Sequence, residues 1–154
     1  MGLFDFLKKK KTKPEIIQDT IQKNNIIRTE TYKKNSYLFS GYRFLSTLST
    51  KTCLACGVLD GKVFDTPEMP HVCLNEHCRC LMVPVVKGME KPDPDDTRAS
   101  DDGPVPASMT YEKWLKKQPA KIKRIILGDY YERYKNGTPL QELAKLIISV
   151  AQNN

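Results

Sequence analysis

Apolar and polar positions along this chain follow first a helical period, then a strand period, then a helical period again. Ile16, Ile17, Ile21 and, less regularly, Ile26 and Ile27 recur at helical spacing after Pro14. They predict a helix that opens at Pro14, carries Glu15 in its first turn, presents one apolar face and runs toward Ser40, with Gly41 as its stop. Tyr42-Arg-Phe-Leu-Ser-Thr-Leu48 is rich in strand formers, and its polar positions Arg43 and Thr47 suggest partial alternation. Leu81-Met-Val-Pro-Val-Val86 predicts a second strand, and Pro84 inside it argues for an edge position or a break. Between the two, Asp60-Gly61 is flanked by Val58-Leu59 and Lys62-Val-Phe64. That pattern predicts a two-residue hairpin turn with positive φ at both positions.

The last third reads as helical. Thr110 can cap a helix over Tyr111 to Lys117, with Glu112 in its first turn. Pro119 opens a second helix through Ile126 that Gly128 closes, and Tyr130 to Tyr134 form a short segment ended by Asn136-Gly137. Pro139 starts a final helix whose Leu140, Leu143, Leu146, Ile147 and Val150 mark one face. Residues 88–108 hold four prolines and six acidic residues against two basic ones, and read as an exposed loop with little fixed structure. The expectation is an α+β fold: a small zinc-stapled β module, hairpin plus strands, packed with flanking helices. Residues 1–13 form an arm and 14–151 a single domain. Within that domain the cysteine module spans 49–86, the acidic proline-rich loop 88–108 and the helical end 110–151.

Composition refines this picture. With 154 residues there is room for one ordinary domain. No apolar run is long enough for a transmembrane helix, and the Met1–Leu7 start, with its lysines following, does not read as a secretory signal. Unexported cysteines, five in number and hence odd, are expected to be reduced thiols or metal ligands. The net charge of +7 sits in residues 1–51, which hold eleven Lys/Arg against four Asp/Glu, whereas residues 52–154 hold fourteen of each. The run Lys8–Lys11 with Lys13 can meet nucleic acid phosphates, an acidic membrane surface or an acidic protein face, or serve only solubility. Leu3, Phe4, Phe6 and Leu7 ahead of it suit a membrane surface, but Phe6 stands where a myristoylation motif needs Ser or Thr.

All five cysteines and both histidines lie between Cys53 and Cys80. Cys53-x-x-Cys56 has the spacing of a zinc knuckle, whose tight turn brings two thiolates to about 2.3 Å from one ion. Cys73 and Cys78 form a wider second knuckle and complete the favoured ligand set Cys53, Cys56, Cys73 and Cys78. His71, His77 and Cys80 are the alternatives, and Cys80, at the start of an apolar strand, can also be a merely buried thiol. Four sulfur ligands leave no open position, so the expected Zn²⁺ is structural. A catalytic zinc wants three protein ligands and an acid–base partner such as Glu76. A deaminase order, His-x-Glu ahead of Pro-Cys-x-x-Cys, is absent. A redox site is disfavoured, because Gly57 and the expected hairpin leave no helix after Cys53-x-x-Cys56 to lower a thiol pKa. In the helical end, Tyr111, Trp114, Tyr130, Tyr131 and Tyr134 interleave with Lys116, Lys117, Lys121, Lys123 and Arg124. Such a mixture can stack on bases, but at helical spacing aromatics are expected to pack the core while lysines face water.

Taken in order, these motifs resemble a family. Leu48-Ser-Thr-Lys-Thr-Cys-Leu-Ala-Cys-Gly-Val-Leu-Asp-Gly-Lys-Val-Phe64, then His77-Cys-Arg-Cys80 and Val83-Pro84-Val85, resembles the Mu F-like minor head proteins of tailed bacteriophages. Arg28-Thr29-Glu30 upstream is similar to the family's preceding helix, and Tyr111-Glu-Lys-Trp-Leu115, Gln118-Pro119 and Ile126-Leu-Gly128 are similar to its closing helices. The likeness spans about residues 26–145 and suits a stand-alone carboxyl-terminal domain of the family. Asn75-Glu-His77 stands where the family carries His-Pro-Asn, and Cys73 is an extra thiol. The resemblance implies a non-enzymatic role in phage head morphogenesis, as a minor capsid component associated with portal, capsid or scaffold proteins and with DNA. The place implied is the host cytoplasm and then the procapsid and virion. The alternatives are a stand-alone nucleic-acid-binding zinc module and a nuclease.

Overall fold

The structure, a computed structural model, describes residues 12–70 and 79–152. The expected arm lies outside them except for Thr12 and Lys13, which belong to the first helix. That helix, α1 (Lys13–Lys34), opens with a capping box. The Thr12 amide donates to Glu15 Oε2 at 2.6 Å and the Glu15 amide to Thr12 Oγ1 at 3.5 Å, so two of the orphan donors of the first turn are satisfied. Lys33 and Lys34 sit at the negative end of the helix dipole.

Two expectations about α1 need correction. It stops at Lys34, with a short 3₁₀ turn at Ser36–Leu38, and Gly41 lies inside strand β1 (Phe39–Leu45) rather than at a helix end. A Cβ on Gly41 would meet Val63 Cγ1 at 2.6 Å and Phe64 O at 3.1 Å, so glycine serves the close approach of strands. Nor do the isoleucines form a packed face, since Ile16, Ile17, Ile26 and Ile27 are exposed. At 3.6 residues per turn they fan out around the helix. The docked side instead carries Ile21, Asn25, Thr29 and Tyr32, all half-buried. Tyr32 stacks on Tyr42 and meets Phe39 edge-on, each with centroids 6.1 Å apart.

Strand β1 is the centre of a three-stranded antiparallel sheet of order β2-β1-β3, with β2 at Val63–Phe64 and β3 at Leu81–Val86. Of the two expectations for Pro84, an edge or a break, the structure has the edge: β3 lies at the side of the sheet, where a missing N–H costs no ladder bond. The 88–108 segment is not a structureless loop. It contains the hairpin β4 (Thr97–Ser100) and β5 (Gly103–Pro106), paired Thr97↔Pro106, Arg98↔Val105 and Ala99↔Pro104. Pro104 and Pro106 are two residues apart, so both lack their N–H on the same side of β5, away from the partner strand. The turn is tied down from outside. The Asp101 amide donates to Leu48 O at 2.9 Å, while Trp114 Nε1 and Gln118 Nε2 each donate to Asp102 Oδ2 at 2.7 Å.

The helical end comprises α3 (Tyr111–Lys117), α4 (Ala120–Leu127), α5 (Tyr131–Lys135) and α6 (Leu140–Gln152). The Thr110 cap (Lys113 N–H to Thr110 Oγ1, 3.4 Å) and Gly128 with φ +50° delimit the helices as the sequence predicts. Tyr111, Trp114, Leu115, Leu127, Leu140 and Leu143 form one core with Leu48 and Leu54. A second core joins Tyr42, Phe44, Cys56, Cys80 and Met82 beneath α1. The protein is therefore α+β, with small antiparallel sheets packed by helices. Among the described residues no helix is long and apolar enough to cross a membrane.

Candidate metal centre

The first knuckle is built by a turn that feeds a single helical turn. Thr52 donates through its amide to Ser49 O (3.1 Å) and through its hydroxyl to Thr47 O (2.7 Å), leaving Cys53 extended as the N-cap of α2 (Leu54–Gly57). Every residue of α2 is buried. Leu54 enters the core of the helical end while Cys56 enters the core under β1, so this one turn straddles both. The chain then turns back, with Gly61 at φ +82°, and is pegged to β1 by two bonds of 2.8 Å, Gly61 N–H to Phe44 O and Phe44 N–H to Lys62 O. Cys80 arrives from the far side of the same strand, one residue before the Leu45↔Leu81 pair. Strand β1 is thus the strut that sets the knuckle and Cys80 against each other.

The result is a meeting of three thiols, none in a disulfide. Cys56 lies within hydrogen-bonding reach of both Cys53 and Cys80. Its thiol is pushed far above the usual range, first by the hydrogen bond with Cys53, next by the one with Cys80, then by burial. Cys56 and Cys80 are almost wholly buried and Cys53 is half-buried. Among the described residues no group of three or more Cys, His, Asp and Glu side chains is placed so that it could hold a metal ion. Of the expected ligands, Cys53 and Cys56 stand together here, while Cys73 and Cys78 lie outside the described residues, as do His71, His77 and Glu76. Cys80, an alternative in the sequence reading, is the thiol that joins the knuckle.

Thiolates are donors that soft divalent cations take. Thiols crowded in an apolar setting resist ionisation one beside another, and an ion that binds them as thiolates replaces their protons and removes the repulsion. The one-turn helix after Cys53 corrects the expectation that no helix follows the motif.

Beside the knuckle sits a buried polar hub that the sequence concealed. Asp60 is not the first residue of a two-residue hairpin: no residue other than glycine has positive φ among those described, and Val58-Leu59 forms a turn rather than a strand. The Asp60 carboxylate instead points inward, its side chain fully buried. Oδ1 accepts from the Ser46 amide (2.8 Å) and Arg98 Nη2 (3.0 Å), and Oδ2 from Arg98 Nη1 (2.9 Å) and the Tyr111 amide (2.7 Å). Arg98 completes its fork on Met109 O (3.0 Å) and Ser46 O. One side chain thereby ties β1, the β4–β5 hairpin and the start of α3 to the turn that follows the thiols. Tyr111 also lies flat against Gly57, where any Cβ would collide with its ring, and the nearby Cys53 adds to the burial that raises its phenol. Arg98 fell in a segment expected to be a loop, and its partner is 38 residues away, so no local signal marks it. No protein-family model, curated protein or solved structure matches this chain.

Proposed function

We propose that this chain is a head-morphogenesis protein of the Mu F-like kind: a non-enzymatic minor capsid component whose small β module is stapled by one structural Zn²⁺. The observation that carries the reading is the meeting of Cys53, Cys56 and Cys80, three thiols drawn from the two cysteine-bearing blocks of the resemblance. Cys53, Cys56 and Cys80 hold the ion, and the fourth donor comes from Cys73 or Cys78, or from His71 or His77. Zinc supplies a crosslink in place of a larger core, and a closed set of four ligands leaves no position for water or substrate. Further support comes from the other motif residues, which do structural work: Asp60 of the Leu-Asp-Gly run is the buried hub, and Tyr111, Trp114 and Leu115 pack the core of the helical end. In this reading the partners are portal, capsid or scaffold proteins, with DNA met through the lysine arm, first in the host cytoplasm and then in the procapsid.

The role is tested by tagging the chain in phage-producing cells and asking what it carries down. Recovery with portal protein and procapsids is expected, and recovery of the chain alone refutes the assembly role. The zinc is tested separately by elemental analysis, with one Zn²⁺ per chain expected. Cys80→Ser and chelation should both collapse the module, because metal binding here is folding energy. A metal-free protein that stays folded would sink the zinc proposal.

A further inference from the structure

The even balance of residues 52–154 conceals a division of charge. Residues 52–110 hold five Lys/Arg against ten Asp/Glu, whereas residues 111–135, which form α3, α4 and α5, hold eight against three. The helical end is thus a basic body attached to an acidic one. Its cations are not spread evenly, because α3, α4, α5 and the start of α6 enclose an open groove of about 450 Å³. Lys116 from α3, Lys123 from α4 and Lys135 from α5 line it, together with Tyr131 and Tyr134. Three lysines from three helices converge there only because the helices fold back on one another.

We infer that this groove binds the phosphodiester backbone of a nucleic acid, at a site distinct from the amino-terminal lysine arm and independent of the head-assembly reading. Glu112 is the one acidic residue in the groove wall. It is engaged by Lys116 at 3.0 Å and by Gln141 at 3.2 Å, and it cancels one charge of three. Lys135 reaches Glu132 at 3.8 Å on the open surface, a pair that water and salt weaken greatly. Lys123 is held in place by donating to Lys116 O at 2.8 Å, which leaves further donors of its ammonium to face the groove. Tyr131 and Tyr134 are half-buried, so each offers an apolar ring edge to a sugar or base. Burial raises the Tyr134 phenol, which therefore stays a neutral hydrogen-bond donor. Arg124, 4.8 Å above the Tyr131 ring, continues the basic rim beyond the lysines. Lysines from three helices that line one groove with aromatic walls suit a phosphate chain, whereas a membrane surface calls for basic residues flanking a flat apolar face.

The test is fluorescence anisotropy of the full chain with a labelled DNA duplex and a labelled single strand, across a salt series. The groove variant carries Lys116→Gln, Lys123→Gln and Lys135→Gln, and an arm variant carries glutamine at Lys8 to Lys11. Circular dichroism melts establish that both stay folded, and the three groove lysines lie outside the cores. If all three groove lysines meet phosphates on the duplex, the wild-type advantage over the groove variant falls about 40-fold between about 50 mM and about 200 mM salt, at a slope of about 0.9 per contact. On a single strand the slope is about 0.7 per contact, which tells the two forms apart. The arm variant should keep this groove-dependent component. Equal affinity and slope for wild type and groove variant overturn the inference, and so does failure of wild type to bind either DNA at low salt. Lysine-dependent binding to phosphatidylserine vesicles without DNA binding overturns it in favour of a membrane. Procapsid co-purification is a separate readout, so the two proposals fail separately.

Discussion

Replacing Asp60 with alanine removes the acceptor of four hydrogen bonds from a site closed to water. Two of the donors are backbone amides, Ser46 and Tyr111, and two are the guanidinium nitrogens of Arg98, whose side chain is 14% exposed. Breaking a buried ion pair by removing one partner costs about 3–5 kcal/mol, because the other charge is left unpaired in a poor solvent. Each orphaned amide adds up to about 1–3 kcal/mol where water cannot reach it. Against a total stability of about 5–15 kcal/mol for a domain, Asp60→Ala should leave a protein at the edge of folding. Asp60→Asn, which keeps the shape and one acceptor oxygen, is the more measurable change, with an expected loss of about 3 kcal/mol or more. The assay is equilibrium urea unfolding followed by the fluorescence of Trp114, the single tryptophan, which is buried in contact with Tyr111. Adding Arg98→Met to Asp60→Asn removes the stranded charge, so the double variant should lose less than the two single losses added together, with a coupling of about 1–3 kcal/mol. Strict additivity, or an Asp60→Asn protein within about 0.5 kcal/mol of wild type, would refute the hub.

Gly57→Ala should destabilise the fold by about 1–3 kcal/mol, since the added methyl overlaps the fully buried Tyr111 ring and neither can move away cheaply; an unchanged melting temperature would show that α2 and α3 are not in register as described. Tyr111 also gives the protein an alkaline limit. Its phenol is raised, first by burial and then by the charge of Cys53, so the neutral form is the one the fold accepts. A group with a raised folded pKa contributes stability that is intact below its unfolded value, about pH 10 for tyrosine, and declines as pH rises from there. Urea midpoints of wild type should fall above about pH 10 more steeply than those of Tyr111→Phe, and parallel curves would remove Tyr111 from the account.

The features legible in the sequence were those that a few neighbouring residues decide. Thr110 as a cap, Gly128 with positive φ and Pro119 at a helix start delimit helices through bonds and torsions that span three or four positions, and they stand where the pattern put them. Pro84 pointed to an edge or a break by the donor it lacks, and β3 is an edge, while Tyr111 and Trp114 declared themselves core by their helical spacing. Cys53 and Cys56 were visible as a pair because only two residues separate them.

Tertiary structure alone decided the rest, because the deciding partners are distant. The β4–β5 hairpin is polar and proline-rich, so its strand character comes from Leu48, Trp114 and Gln118 binding its turn and from Arg98 reaching Asp60. The isoleucines of α1 suggested a packed face, yet which side of a helix is buried depends on what it lies against, here Phe39 and Tyr42. Asp60 looked like a turn residue because its local role and its buried role share one chemistry, a short side chain that accepts hydrogen bonds. Cys80 meets the knuckle because antiparallel pairing with β1 carries it there. Caps and turns are written in adjacent residues; the pairing of an arginine, a carboxylate and three thiols across the fold exists only once the chain has closed on itself.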